Sequence, residues 1–229
     1  MGEVSRRVVS VTLDNIDDLP LPCRQCTAWE LGNHAPDPSG KAEWLSAVLL
    51  DWGSCGRLIY VDGAVAGFAL YAPPEYAEGA GLTVTSTISA DAVLLMSARI
   101  LPEFASTGLG RVLVQTVVKD LLRRRGVRAI EAFGDAQGRQ GSCVTPAEFL
   151  TAVGFKTVQP HPRYPRLRLD LRGVLTWRAD VEVALDRWLG ALRPAPLAPD
   201  KGAGPVGASP RTGPHYGPGG NGGTALSCR

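Results

Sequence analysis

Two spacings in this 229-residue chain are of the kind that carries chemistry. The first is Ala105-Ser106-Thr107-Gly108-Leu109-Gly110, which leaves an apolar run and opens a long helical period. Two closely spaced glycines at such a junction allow a tight turn whose backbone N–H groups point outward beside the positive end of a helix dipole, a ready phosphate site. No Gly-Lys-Ser/Thr follows, so this is not a Walker loop, and the absent third glycine separates it from the dinucleotide fingerprint. A plain strand-to-helix connection is the other reading of the same residues. The second spacing is Cys23-Arg24-Gln25-Cys26, the form of a redox pair or of half a zinc site. Zinc needs two further ligands, but there is no second cysteine pair and His34, His161 and His215 have no ligand spacing, so no metal is expected. A redox pair belongs at a helix N-terminus in a thioredoxin-like βαβ unit. Only a short strand precedes this one, which leaves packing of Cys23, Cys26 and Trp29 on the first helix as the alternative.

Elements able to hold these residues can be read from periodicity. Val8 to Leu13 alternates as a strand, and Lys41 to Leu50 places Trp44 and Val48 on one helical face after a Pro/Ser/Gly opening. Leu58 to Val61 and Ala64 to Tyr71 flank Asp62-Gly63, the residues a type I′ hairpin turn demands. Ala92 to Leu101 begins as a nearly continuous apolar run, as a central strand covered on both faces requires. From Gly108 to Arg125 the period turns helical, with Leu109, Leu113, Val117 and Leu121 in register and Gly126 as the stop. Val127 to Phe133 resumes a strand, which makes a βαβ unit with a parallel pair. Pro146 to Val153 reads as a short helix, and Arg166 to Leu171 alternates as a half-buried strand. An amphipathic terminal helix is expected over 177–192, within a single domain of residues 1–193.

Nine of the 27 glycines lie after residue 200, interleaved with Pro205, Pro210, Pro214 and Pro218. Residues 194–229 are therefore expected to be a disordered Pro/Gly-rich tail, because they have little to bury against the entropy of ordering. The whole chain is 45% hydrophobic and 20% charged, with 24 Lys+Arg against 22 Asp+Glu and a net charge of +2. That balance lacks the excess a nucleic-acid binder needs to neutralise several phosphates. No apolar run reaches a membrane span, and Met1 to Asp14 lacks a signal-peptide core, so no membrane partner and a cytoplasmic protein are expected. Five cysteines are too dilute for a stapled scaffold, so thiols are the default state.

In order, the elements are a helix, a β-hairpin, a strand, a Gly-x-Gly turn, a long helix, a strand, a short helix ending in Gly154-Phe155 and a final strand. This order resembles that of the GCN5-related N-acetyltransferase (GNAT) family over roughly residues 7 to 171. Leu101-Pro102-Glu103-Phe104 ahead of Gly108-Leu109-Gly110 looks like the family's acetyl-CoA motif. Pro146 to Phe155 looks like its later helix. The resemblance implies an α/β (α+β) fold: a mixed, mostly antiparallel central sheet flanked by helices, with a parallel strand pair splayed around the acetyl-CoA motif. It implies acetyl-CoA as co-substrate, with acetyl transfer to a primary amine of a small molecule or a protein; a homodimer is compatible with it. The amides of Ser106, Thr107, Gly108, Leu109, Gly110 and Arg111 would hold the pyrophosphate, and the backbone of Ile100, Leu101, Pro102 and Glu103 would pair with pantetheine.

Two residues depart from the family's pattern. Ala105 replaces the usual Gln or Arg, and Leu150 replaces the Tyr that commonly gives a proton to the CoA thiolate, which leaves the general acid open. An amine must lose a proton before it attacks a thioester, so a carboxylate near the site helps. Glu103 is the first candidate base and Glu131 the second, each with a solvated or salt-bridged carboxylate as the alternative. Cys143, just before the short helix, is a weaker catalytic candidate near the thiolate, or else a buried structural thiol. The first helix flanks the acceptor cleft in the family, which puts Trp29 and Glu30 beside it. Tyr71-Ala72-Pro73-Pro74-Glu75-Tyr76 either lines that cleft through Tyr71 and Tyr76 or is a stiffened connection. The rivals to catalysis are an acyl-CoA sensor or scaffold of the same fold and a thiol-redox or metal protein built on Cys23 and Cys26.

Overall fold

The computed structural model describes residues 4–80, 86–138 and 143–174. The helix expected over 177–192 and the tail expected over 194–229 lie outside the described residues. Among the described residues no helix is long and apolar enough to cross a membrane.

The chain opens with β1 (Arg6–Ser10), shorter at its C-terminal end than the alternation of Val8 to Leu13 predicts. Asn15 ends it: its side chain accepts from the Thr12 amide at 2.8 Å and donates to the Ser10 carbonyl at 2.9 Å, which starts a 3-10 turn over Leu13–Asp18. Two short strands, β2 (Cys26–Thr27) and β3 (Asn33–Pro36), pair with each other apart from the main sheet. The first helix, α1 (Pro38–Asp51), begins three residues earlier than its apolar period, because Pro38 fits the first turn and the Asp37 carboxylate accepts from the Gly40 amide at 2.8 Å.

Next come β4 (Gly56–Val61) and β5 (Ala64–Ala72), joined by Asp62 at φ 49° and Gly63 at φ 82°, the positive pair that a type I′ turn requires. They are followed by β6 (Ala92–Ile100), α2 (Leu109–Leu121), β7 (Ala129–Asp135), the two-residue β8 (Thr145–Pro146), α3 (Ala147–Ala152), β9 (Lys156–Gln159) and β10 (Arg166–Asp170). The main sheet runs β1-β4-β5-β6-β7-β10-β9, antiparallel throughout except for the parallel pair β6–β7, with β8 added in parallel to β7. The fold is thus the mixed, mostly antiparallel α/β sheet that the sequence implied.

Period-2 alternation assigns the two faces. Leu58, Phe68, Leu70, Leu94 and Met96 point to one face, where Trp44, Leu45 and Val48 of α1 cover them. Ile59, Tyr71, Val93, Leu95 and Ile130 point to the other, against Leu109, Leu113, Val117 and Leu121 of α2. Both faces of β6 are therefore buried, which is why its sequence is an apolar run rather than an alternation.

The rung Leu94–Glu131 is the last at which β6 and β7 pair. Glu131 is fully buried, and its carboxylate accepts from the Ser89 amide and hydroxyl at 3.1 and 2.7 Å, from Arg166 at 2.8 Å and from Arg168 at 3.0 Å. Arg168, directly opposite on β10, also holds both carboxylate oxygens of Asp91 at 3.0 Å. Burial pushes the Glu131 carboxyl up, but the donors of Ser89 and Arg168 and the charge of Arg166 outweigh it, so its pKa lies below the ordinary value. A depressed folded pKa contributes stability that is complete above the unfolded value of about 4.3 and is lost as pH falls through the folded value. Removing this charge takes the ion partner from Arg166 and one of three carboxylates from Arg168, so Glu131→Gln should lower stability by about 3 kcal/mol. In urea melts the gap from wild type should be full at pH 7 and shrink in acid; an equal gap at all pH values would contradict the electrostatic assignment.

Candidate functional site

Beyond the Leu94–Glu131 rung, β6 and β7 part, and β8 occupies the opening. A bulge at Met96 accompanies the divergence, since Leu70 faces Ser97 while Tyr71 faces Leu95. Past the bulge, Ala98 and Ile100 turn their main-chain groups away from β5: the Arg99–Phe68 pair and the bond from the Leu101 amide to the Ala66 carbonyl occupy the β5 side. Thr145 of β8 fills part of this free edge. Its hydroxyl accepts from the Ala98 amide at 2.9 Å and approaches the Ala98 carbonyl at 3.4 Å.

Strand β6 leads through a 3-10 turn, Pro102–Phe104, into the loop ahead of α2. There Ser106 at φ 61° and Gly108 at φ 81° are both left-handed. The alternation turns consecutive amides to one side, and those of Ser106, Thr107, Gly108, Leu109 and Gly110 have no acceptor among the described residues. A concave row of N–H groups at a helix N-terminus binds anions. Gly108 supplies the positive φ, and Gly110 serves close packing: a Cβ there would lie 2.5 Å from the Phe149 ring of α3.

A cavity of about 890 Å³ joins these parts, walled by Ser97 to Pro102, Phe104 to Ser106, Gly108 to Arg111, and Cys143 to Pro146 with Phe149 of α3 behind. Its volume suits an extended cofactor-sized ligand. Arg99 and Arg111 are the formal charges on the wall among the described residues, and no carboxylate lies on it. The geometry offers an anion cradle at one end, a strip of main-chain donors and acceptors along the middle, and sulfur and hydroxyl groups at Cys23, Cys143 and Thr145.

The expected site residues divide accordingly. Ile100, Leu101, Pro102, Ser106, Gly108, Leu109, Gly110 and Arg111 are on the cavity wall, with Thr107 between them in the loop. Glu103 is exposed on the 3-10 turn and off the wall, although Pro102 and Phe104 on either side of it are on it. Glu131 is a correction: its carboxylate is committed to the clamp of arginines and Ser89, so it is not poised as a base. Tyr71 is a second correction. It is fully buried on the α2 face, its hydroxyl donates to Asp120 at 2.9 Å, and burial raises its pKa. Tyr76 sits in the 3-10 turn Pro74–Tyr76 near α1, with its hydroxyl 3.4 Å from Asp51. Glu30 is buried in an ion pair with Lys41 of α1, which removes it from the cleft surface. Trp29 is buried, stacks on Phe133 with centroids 6.3 Å apart and donates its indole N–H to the Cys143 carbonyl at 3.4 Å. Cys143 lies on the wall as anticipated, but the sulfur facing it is Cys26, at 3.6 Å.

Leu150 is fully buried in the core beneath α2 and has no acidic group with which to donate a proton. Thr145, Ser97 and Arg99 were missed by the sequence reading. A two-residue strand has no periodicity to detect, and the bulge that turns Ala98 toward the cavity has no composition signal.

The profile of the Acetyltransferase (GNAT) family matches residues 14–143, and the chain belongs to that family. No curated protein matches the sequence. Among solved structures, an N-acetyltransferase from Staphylococcus aureus Mu50 aligns at 13% identity over 73% of this chain and 99% of its own, with a TM-score of 0.51. The protein yncA from Salmonella typhimurium, solved with its cofactor acetyl-CoA, aligns at 17% identity over 73% of this chain and 94% of its own, also at 0.51. Aminoglycoside acetyltransferase AAC(6')-Ib in complex with coenzyme A aligns at 13% identity over 76% and 99%, with a TM-score of 0.50. At such identities the likeness is one of fold.

The contact between Gly110 and Phe149 can be tested directly. Gly110→Val should destabilise the protein by about 2 kcal/mol through overpacking, and Phe149→Ala in the same chain should recover part of that loss. Additive losses in denaturant melts would mean the two positions do not meet.

Proposed function

We propose that this protein is an acetyl-CoA-dependent N-acetyltransferase that moves the acetyl group to a primary amine of a small molecule or a protein. The observation that carries this reading is the continuity of one cavity: the edge of β6 at Ala98 and Ile100, outside the strand ladder and met only by the Thr145 hydroxyl among the described residues, runs directly into the row of amides at Ser106–Gly110. A pantetheine arm needs amide partners along its length, and a pyrophosphate needs N–H donors at its end. The structures of yncA with acetyl-CoA and of AAC(6')-Ib with coenzyme A support the same ligand class.

In this reading the pyrophosphate lies on the amides ahead of α2, helped by the dipole and by Arg111. Pantetheine extends along β6 toward the bulge. The Ala98 amide, once Thr145 withdraws, donates to the thioester carbonyl oxygen and stabilises the negative charge that develops there. The amine nitrogen attacks the carbonyl carbon, the C–S bond breaks and the acetyl group leaves as an amide; the proton the nitrogen sheds passes through solvent and restores the proton that Cys143 gives to the thiolate. Among the described wall residues the thiols are those of Cys23 and Cys143, and Cys143, two residues before Thr145, is the proposed proton donor. With no carboxylate among the described wall residues, the acceptor in this reading arrives as free base or loses its proton to solvent at the rim, where Glu103 stands.

Acetyl-CoA should bind the purified protein with a Kd on the order of micromolar by titration calorimetry. Gly108→Val places a β-branched residue at φ 81° and should weaken binding roughly tenfold or more. Unchanged affinity would remove the anion cradle from the mechanism. The decisive experiment incubates the protein with acetyl-CoA and a panel of amines and follows thiol release. Turnover should rise with pH toward the pKa of the acceptor amine, and Glu103→Gln should change kcat/KM by less than about threefold. A loss of roughly 100-fold or more in Glu103→Gln would instead make Glu103 the base, acting through water. Binding without thiol release from any amine would select the sensor reading.

A further inference from the structure

Two thiols meet beside the inner wall of the cavity, brought there from opposite ends of the domain. Cys26 belongs to β2 and Cys143 precedes β8, 117 residues apart in sequence, yet their Sγ atoms are 3.6 Å apart. Both are partly exposed, so a small oxidant can reach them. Their backbones are held. Lys41, paired with buried Glu30, donates to the Cys26 carbonyl at 3.0 Å, and Trp29, stacked on β7, donates to the Cys143 carbonyl at 3.4 Å. The hydrogen bond from Cys143 outweighs desolvation and, with a backbone bond at Ala28, lowers the Cys26 thiol to about 6. Buried Cys55, with no such neighbour, is pushed up to about 12 and stays inert.

We propose that Cys26 and Cys143 are a peroxide-oxidisable pair whose disulfide pins the Cys143–Pro146 segment across the splay and shuts the acyl-CoA cleft. The closing half rests on the function proposed above. The Cys26 thiolate attacks one oxygen of hydrogen peroxide and the O–O bond breaks; the hydroxide released takes up a proton as water. The resulting sulfenic acid is attacked by the Cys143 sulfur. An S–S bond of about 2.05 Å replaces the 3.6 Å contact, and the hydroxyl leaves as water with the Cys143 proton. Two thiols are oxidised and one peroxide is reduced to two waters. Closure follows from Thr145, two residues after Cys143. Its hydroxyl occupies the Ala98 amide and carbonyl, the strand groups that pantetheine requires, and a tether to β2 keeps it there.

The test treats the reduced full chain with hydrogen peroxide, maps linked peptides without reductant and titrates acetyl-CoA before and after. A Cys26–Cys143 peptide, a Kd raised about tenfold or more and recovery with dithiothreitol are expected. Cys26→Ser, or Cys26→Ala if serine disturbs folding, should bind acetyl-CoA like the reduced wild type and ignore peroxide. A linkage through Cys23, oxidation without linkage, or a linked protein of unchanged affinity overturns the proposal. If the reduced protein binds no acetyl-CoA, the function reading fails separately. The pair is then judged by the linked peptide and by slowed hydrogen exchange at Cys143–Thr145, and absence of either overturns it.

Discussion

Everything at the site depends on the parting of two parallel strands. β6 and β7 share registered pairs from Ala92–Ala129 to Leu94–Glu131 and then separate, although β6 continues to Ile100 and β7 to Asp135. A sheet that stayed paired to its ends would bury every amide in the ladder and offer a ligand only side chains. The separation leaves main-chain groups of a central strand without a ladder partner in a largely apolar surround, where hydrogen bonds are strong and an unsatisfied group is costly. Thr145 answers that cost at Ala98, and β8 bridges the gap to β7 at Gly134 and Asp135.

The apex of the opening is held by charge rather than by packing. Glu131 is the last paired residue of β7, and the donors of Ser89, Arg166 and Arg168 converge on it from a loop and a neighbouring strand. An apolar residue there would slide; a carboxylate with several directed hydrogen bonds fixes where the strands begin to diverge. The same commitment explains why a glutamate that seemed, by its place in the sequence, poised for proton transfer serves instead as an anchor. A glutamate on a central strand reads the same in sequence whether it faces a substrate or a pair of arginines, and only the register of β10 distinguishes them.

What was legible in the sequence follows the range of the forces involved. Asp62-Gly63 announced its hairpin because left-handed φ is a local requirement, and the helical period of Leu109, Leu113, Val117 and Leu121 announced α2 because one face meets the sheet. The turn ahead of α2 was legible for the same reason through Gly108, whose φ is 81°, whereas the need for Gly110 comes from Phe149 on another helix. Where pairing is short or exposed, as in β2, β8 and β9, no periodicity marks it. Tyr71 and Glu30 followed sound local cues, an aromatic before prolines and an acid beside a tryptophan. Their partners, Asp120 and Lys41, come from other elements and turn both side chains inward. The contact between Cys26 and Cys143 spans most of the domain, so the nearer Cys23 drew the reading instead.

The cradle ahead of α2 is built from peptide groups, with side chains contributing little beyond the conformations they permit. An alanine scan would pass over most of it in silence, because truncating Ser106 or Thr107 leaves the amide in place. Proteins that agree with this chain at only 13% to 17% of positions keep the same fold. The part of such a site under the tightest physical constraint is thus the part least visible to comparison of side chains, and replacing single amides by esters is the chemistry that would interrogate it.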